Sequence, residues 1–269
     1  MLTRRTLLRG ALTALLWPRR LWAQPLPPSN LQVGKMAVAI IGSISSAGSA
    51  NPLSWTHTVP TGSSNVCLIV GITVSNGDGA LGTVTAVTYN GVAMTQVATT
   101  ADAFADGPYT RAYLFRLLDP PTGANTVSVT FSGNLGGSNG LVGGAVTFAN
   151  VDQITPVSNS ATNNSGGGTS TPSTVTVTSA VGEWTIETVA AAANTSLGSP
   201  TQTQQWLILD VGGTTAGGST AAGATSVTFE WSMPTGNKIW ATAALSLKAA
   251  AGAATIPVFM HHYKQMANN

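Results

Sequence analysis

Three observations predict an all-β fold, an antiparallel two-sheet β-sandwich of jelly-roll-like topology. Short runs alternating apolar with hydroxyl residues recur from Met36 to Lys248. Clusters of Gly, Ser, Asn and Pro separate them, and no stretch carries a helical period long enough to serve as a crossover. Many short strands without helices leave sheet-on-sheet packing as the way to bury apolar faces.

The elements follow in order. Asn65 to Ser75 reads as a strand. Thr83 to Tyr89 alternates by face and meets Asn90-Gly91, then Val92 to Val97. Asn-Gly between alternating runs is a strong hairpin signal, because both residues tolerate positive φ. Further strands are predicted at Tyr109 to Leu118, Thr126 to Phe131, Leu141 to Phe148, Thr174 to Thr178 and Trp184 to Ala190. Gln204 to Val211, Ser226 to Trp231 and Ile239 to Leu247 complete the set. Thr126 to Phe131 shows one packed and one solvated face, as antiparallel sheets do. Leu68-Ile69-Val70 and Ala243-Ala244-Leu245 are more continuously apolar and suit central strands. Asn163 to Gly168 and Gly212 to Gly218 read as inter-strand loops. A faint echo links Gly123 to Phe131 and Gly144 to Phe148 with Gly223 to Phe229 and Ala243 to Leu247. It fits a single sandwich over residues 36–249 better than two independent domains.

Charge is scarce and unevenly placed. The 269 residues include 11 Lys or Arg and 9 Asp or Glu, which excludes a basic nucleic-acid binder. Hydrophobic residues at 43% exclude an acidic disordered chain, and one Cys excludes a disulfide framework. Five of the basic residues fall in the first twenty positions, around a short apolar run from Ala11 to Trp17. Residues 1–23 therefore read as an export signal of twin-arginine type, with Arg4-Arg5 ahead of Leu7-Leu8. The apolar run is too short to span a membrane. Cleavage after Ala23 leaves six basic against nine acidic residues, a net charge of −3. A start at Met36 is the alternative, leaving five against nine, or −4. Residues 24–35 form a Pro-rich linker, and residues 250–269 a C-terminal tail. The expected location is periplasmic or extracellular with a genuine signal, and phage particle or cytoplasm without one.

Several strings carry a family likeness. They are Trp55-Thr56-His57-Thr58-Val59-Pro60, Val87-Thr88-Tyr89-Asn90-Gly91-Val92-Ala93-Met94-Thr95 and Tyr113-Leu114-Phe115-Arg116-Leu117-Leu118-Asp119-Pro120-Pro121. Phe148-Ala149-Asn150-Val151-Asp152-Gln153-Ile154-Thr155-Pro156 and Thr176-Val177-Thr178-Ser179-Ala180-Val181-Gly182-Glu183 continue it. Over residues 37–249 the chain resembles a widespread family of β-sandwich domains in bacterial secreted and phage-associated proteins. The resemblance implies a jelly roll like those of lectins and carbohydrate-binding modules, and it implies no activity.

Each candidate for chemistry competes with a plain structural role. Gly136-Gly137-Ser138-Asn139-Gly140 spells a nucleophile motif without the strand–turn–helix setting it needs. His57 is the sole histidine of the sandwich and the weak catalytic candidate; parity groups it with Trp55 and Val59. His261 and His262 lie in the tail and cannot both face one way on a regular element. Asp78, Asp102 and Asp106 sit in loops of a composition that suits calcium. Sugar binding exploits a ring flanked by amides or hydroxyls, which singles out Tyr109 with Phe104 and Trp206 with Gln204. Thr174-Val175-Thr176-Val177-Thr178 has the look of an ice-binding face and equally of a solvated strand.

The expected function is an exported, non-catalytic binding or surface-assembly module, with a glycan or cell-surface polymer as partner. No nucleic acid, membrane span or cofactor other than calcium is expected, and homo-oligomerisation is compatible with such a module. The alternatives are an extracellular polysaccharide lyase or glycoside hydrolase with a shallow groove, and a phage-type structural subunit.

Overall fold

In the first half of the chain the strand pairing is that of a jelly roll. The computed structural model describes residues 35–49, 52–76, 82–104, 109–133, 140–166, 172–192, 195–234 and 239–252. The first half holds β1 (Ala39–Ser49), β2 (Leu53–Val59), β3 (Cys67–Asn76), β4 (Thr83–Tyr89) and β5 (Val92–Ala93). It continues with β6 (Thr95–Thr99), β7 (Ala103–Phe104), β8 (Tyr109–Leu118), β9 (Gly123–Ser132) and β10 (Gly140–Ala149). One sheet runs β1-β10-β3-β8-β6, with β7 on β8; its partner runs β2-β9-β4-β5. Every pairing is antiparallel.

The second half repeats the plan. Its strands are β11 (Val157–Asn164), β12 (Ser173–Thr178), β13 (Trp184–Ala192) and β14 (Thr203–Val211). β15 (Thr214–Ala222), β16 (Ser226–Trp231) and β17 (Ile239–Leu247) follow. The large sheet β11-β17-β13-β15-β14 matches β1-β10-β3-β8-β6 strand for strand, and β12-β16 matches β2-β9. The echo noted in the sequence joins equivalent strands, β9 to β16 and β10 to β17. The antiparallel sandwich is thus built twice, and residues 33–254 form one compact unit.

The two large sheets face each other, so the layers run outer, inner, inner, outer. β3 lies on β13, β8 on β17 while β15 lies on β10, and β1 on β14 while β11 lies on β6. Such reciprocity is what a two-fold interface between like subunits shows. Cys67, Ile69, Leu114, Val146 and Phe148 meet Ile186, Ile239, Leu245 and Leu247 across this central layer. Burial on both sides explains the continuous apolar runs: β10 and β17 are buried at every position, whereas the outer strand β2 alternates strictly.

Close approach demands glycine here. Trp206 lies between Gly144 of β10 and Gly218 of β15, where a Cβ on either would overlap the indole. A Cβ on Gly71 would stand 2.9 Å from that of Thr188. Gly217 and Gly218 therefore belong inside β15 rather than in a loop. The Gly-rich composition reads as a turn when it is in fact a slot for a ring; only Gly212 and Gly213, with φ of 55° and 77°, make the turn. β11 likewise extends to Asn164, into the stretch read as loop. Asn90 and Gly91 take φ of 50° and 75°, closing the expected β4–β5 hairpin.

Asp152 fixes the link between halves. Its Oδ1 accepts the backbone N–H of Ile154 and of Thr155, and its carboxylate pairs with Lys248 at 3.2 Å. Those bonds, the backbone pair first, hold its pKa down at about 2.

Filling the glycine slot tests the central layer. Gly218→Ala should cost about 1–3 kcal/mol by overpacking, and Trp206→Ala about 3–5 kcal/mol by leaving a cavity. Urea unfolding of both variants measures this; a Gly218→Ala as stable as the parent would contradict the packing.

Candidate functional site

The ionisable side chains with the strongest chemical interest are folded inward. β2 directs Trp55, His57 and Val59 to the inner sheet by its alternation, and His57 is 1% exposed. Its Nδ1 lies 2.8 Å from Ser45 Oγ on β1 and its Nε2 lies 2.8 Å from Thr147 Oγ1 on β10. The Trp55 indole N–H donates to Ser45 Oγ at 3.0 Å, which leaves that hydroxyl one lone pair and its proton to meet Nδ1. Tyr89 stands edge-on to the imidazole at 6.3 Å and donates its phenol proton toward the carbonyl oxygens of His57 and Gly123. Burial among neutral partners pushes the His57 pKa down to about 4. An imidazole without a carboxylate or an open approach lacks what general-base catalysis requires.

The second half buries carboxylates. Glu187 of β13 is fully buried, accepting from Ser219 Oγ at 2.9 Å and Trp231 Nε1 at 3.1 Å, with Thr242 Oγ1 at 3.0 Å. Burial raises its pKa to about 7, and the hydrogen bonds oppose that only in part. Glu183, 7% exposed, accepts from Ser158, Ser179 and Ser246. Ser246 stands in β17 as Thr147 stands in β10, so in each half a buried hydroxyl of this strand and a less buried serine of the first strand close a polar cluster. Sequence reasoning missed both glutamates. The available signal was an acid inside Trp184-Thr185-Ile186-Glu187-Thr188-Val189, where both faces of the strand are apolar.

The proposed ligand residues separate. Trp206 is 4% exposed, its ring held by glycines, so it offers no face to a sugar; Gln204 beside it is exposed. Phe104 and Tyr109 are cross-strand partners on β7 and β8, and Tyr109 is half-buried. Those pairs belong to opposite edges of the stack, since β14 faces β1 whereas β6 faces β11. Among the described residues no aromatic side chain ranks with the exposed large hydrophobics, which are Met36, Val92, Ile154, Val181 and Leu209.

Asp102 is held by Arg111, whose Nε donates at 2.6 Å and whose Nη1 donates to the Tyr113 hydroxyl at 2.9 Å. Asp78 and Asp106, the other two calcium candidates, lie outside the described residues, as do Ser138, His261 and His262. Among the described residues no three of His, Cys, Asp and Glu gather as metal ligands. Cys67 is fully buried, and burial pushes its thiol up to about 12, where it is inert as a nucleophile.

Three concavities among the described residues are shallow. One of about 160 Å³ lies between β11 and β12, lined by Ala161, Thr162, Asn163 and Thr174. Others of about 250 and 320 Å³ adjoin Asp210 and Glu230, each with one carboxylate in its lining. None of the three includes His57. No helix among the described residues is long and apolar enough to cross a membrane. Comparison with protein-family models, curated proteins and solved structures finds no match.

The buried and exposed contacts differ in worth. Thr147→Val strands His57 Nε2 in the core and should cost about 1–3 kcal/mol. Asp102→Asn, at a partly exposed ion pair, should cost under about 1 kcal/mol. Equilibrium denaturation of the two variants checks the order.

Proposed function

We propose that the chain is a non-catalytic binding or surface-assembly module for glycans, exported through the signal in residues 1–23. One observation carries this reading. The outer sheet of the first half turns Ser54, Thr56, Thr126, Ser128, Thr130 and Thr85 to solvent, and no strand of that sheet contains Asp, Glu, Lys or Arg. Hydroxyls at strand spacing offer hydrogen bonds to a neutral, hydroxyl-rich polymer without the desolvation cost of charge. His57 and Tyr89 are neighbours, as a polysaccharide lyase would require. Their exposure of 1% and 0% and their neutral partners support the binding reading over the catalytic one. The resemblance to secreted and phage-associated sandwiches agrees with a surface role.

A glycan array run beside assays for reducing ends and unsaturated uronates tests the proposal. Retention on neutral polysaccharide with no product release is expected; turnover of any bound glycan would overturn it. Mass spectrometry of the native N-terminus should find Gln24 first, and a chain beginning at Met36 would remove the export step.

A further inference from the structure

We propose, resting on that glycan reading, that the module is bivalent: it carries one binding face on each outer layer, and so bridges two molecules of a neutral polysaccharide. The layer order sets the directions of the faces. In β3, Leu68, Val70 and Ile72 pack under the first outer sheet, while Cys67 and Ile69 face the centre. In β17, Ala244 packs under β12 and β16, while Ala243 and Leu245 face the centre. The outward sides of the two outer sheets therefore look away from each other. Three inter-layer gaps separate them, about 30 Å in all.

Both outward sides carry the same chemistry. On the first, Ser54, Ser128 and Thr88 lie level across β2, β9 and β4, beside the level pair Thr56 and Thr126. On the second, Thr176 lies level with Thr228, and Thr178 with Ser226. The exposed hydroxyls of Thr176 and Thr228 share a hydrogen bond at 2.9 Å, which leaves the pair one proton to donate and lone pairs to accept with. The one charged residue of β12 and β16 is Glu230, level with Thr174 toward the end of the ladder. A duplicated half that keeps the strand plan keeps its outward parity, so the hydroxyl ladder recurs on the far side of the stack.

The second outer sheet is two strands wide, and β11 adds to its width. The concavity of about 160 Å³ between β11 and β12 opens alongside Thr176. Across it the Asn163 amide donates to the Thr174 carbonyl at 2.7 Å, while Thr162 and Asn163 are exposed to solvent. Of the three concavities described, this is the one whose lining holds no carboxylate. A recess of hydroxyls and one amide, without charge, suits a neutral group bearing hydroxyls of its own. A neutral polysaccharide presents such a group at every sugar.

A capture assay tests the two faces. The full chain is bound to immobilised β-glucan, mannan or xyloglucan, and the same polysaccharide, fluorescently labelled, is then passed over it. The parent should retain the labelled polymer. Thr126→Glu with Ser128→Glu closes the first face, and Thr176→Glu with Thr178→Glu closes the second. Each pair should leave binding to the immobilised polymer, weakened about 100-fold, and end capture of the labelled one. All four substitutions together should abolish binding. Capture that persists with one face closed would overturn the proposal, because a dimer exposing two copies of a single face behaves that way. Binding by the parent without capture overturns bivalency and leaves the glycan reading standing, whereas binding to none of the three polymers removes both. Should a variant fail to fold, the stoichiometry of the parent decides. Two equivalents of a hexasaccharide of the bound polymer per chain are expected, and a single equivalent would sink the second face.

Discussion

The constraint that governs this molecule is the burial of two large sheets on both faces. An outer sheet can leave every second side chain to water, as β2 and β9 do. β10, β13 and β17 have almost no wet face, so their polar side chains seek partners inside the protein, the Trp184 indole N–H of β13 being an exception. Thr147 finds His57, Thr188 the Gly217 carbonyl, Thr242 the Glu187 cluster and Ser246 Glu183. His57, a candidate in the sequence, and Glu183 and Glu187, which the sequence reading passed over, are the closing members of these internal networks. Function must therefore be sought on the outer layers and at the edges.

The second half departs from the first where its outer sheet narrows from four strands to two. The open edge of β16 is not left bare. Gly198 N–H donates to the Ser232 carbonyl, Thr201 N–H to that of Glu230, and Gln202 Nε2 to that of Thr228. Pro200 bridges Trp231 on the same edge. This irregular segment also supplies Leu197 to the core formed by Trp231, Met233 and Trp240. A chain segment without regular ladder geometry thus performs both tasks of the missing strand, capping the edge and covering the core.

The sheet content was legible because outer strands announce themselves by alternation and inner strands by unbroken apolar runs. The Asn90-Gly91 turn was legible for a local reason, positive φ at both positions. The doubling was legible only as an echo, because Val-Thr-Phe and similar strings serve any half-buried strand. What could not be read was reciprocity between sheets, on which the fate of Trp206 depends. Its neighbours in sequence, Gln204 and Gln205, suggest an exposed binding residue, yet its neighbours in space are Gly144 and Gly218, 62 residues before and 12 after it. β1 and β11 carry too little alternation to be seen, being edge strands rich in Ser, Ala and Asn. Of the candidate site, Phe104 was read only as a loop residue ahead of Tyr109, and its cross-strand pairing with Tyr109 was not foreseen. The partners of His57 did not, since Ser45 and Thr147 come from strands 12 and 90 residues away.

The low charge takes on a different meaning in this architecture. Read as composition, 20 charged residues in 269 look like an adaptation of the surface. In a stack of four layers, the strands of the inner two hold few charges, Arg111 and Arg116 of β8, Glu187 of β13 and Asp210 of β14, and they exclude bulk wherever two backbones approach a ring. Ala, Gly, Thr and Val fill these strands because they pack at short inter-sheet distance and bring no group that water must solvate. Much of the uncharged character is therefore a demand of the fold and carries no message about a ligand. The outer strands are under no such demand, since Lys or Glu would be tolerated at Thr56, Thr126 or Ser128 without cost to the core. That β2, β4 and β9 are free of charge as well is the part of the composition that packing does not explain.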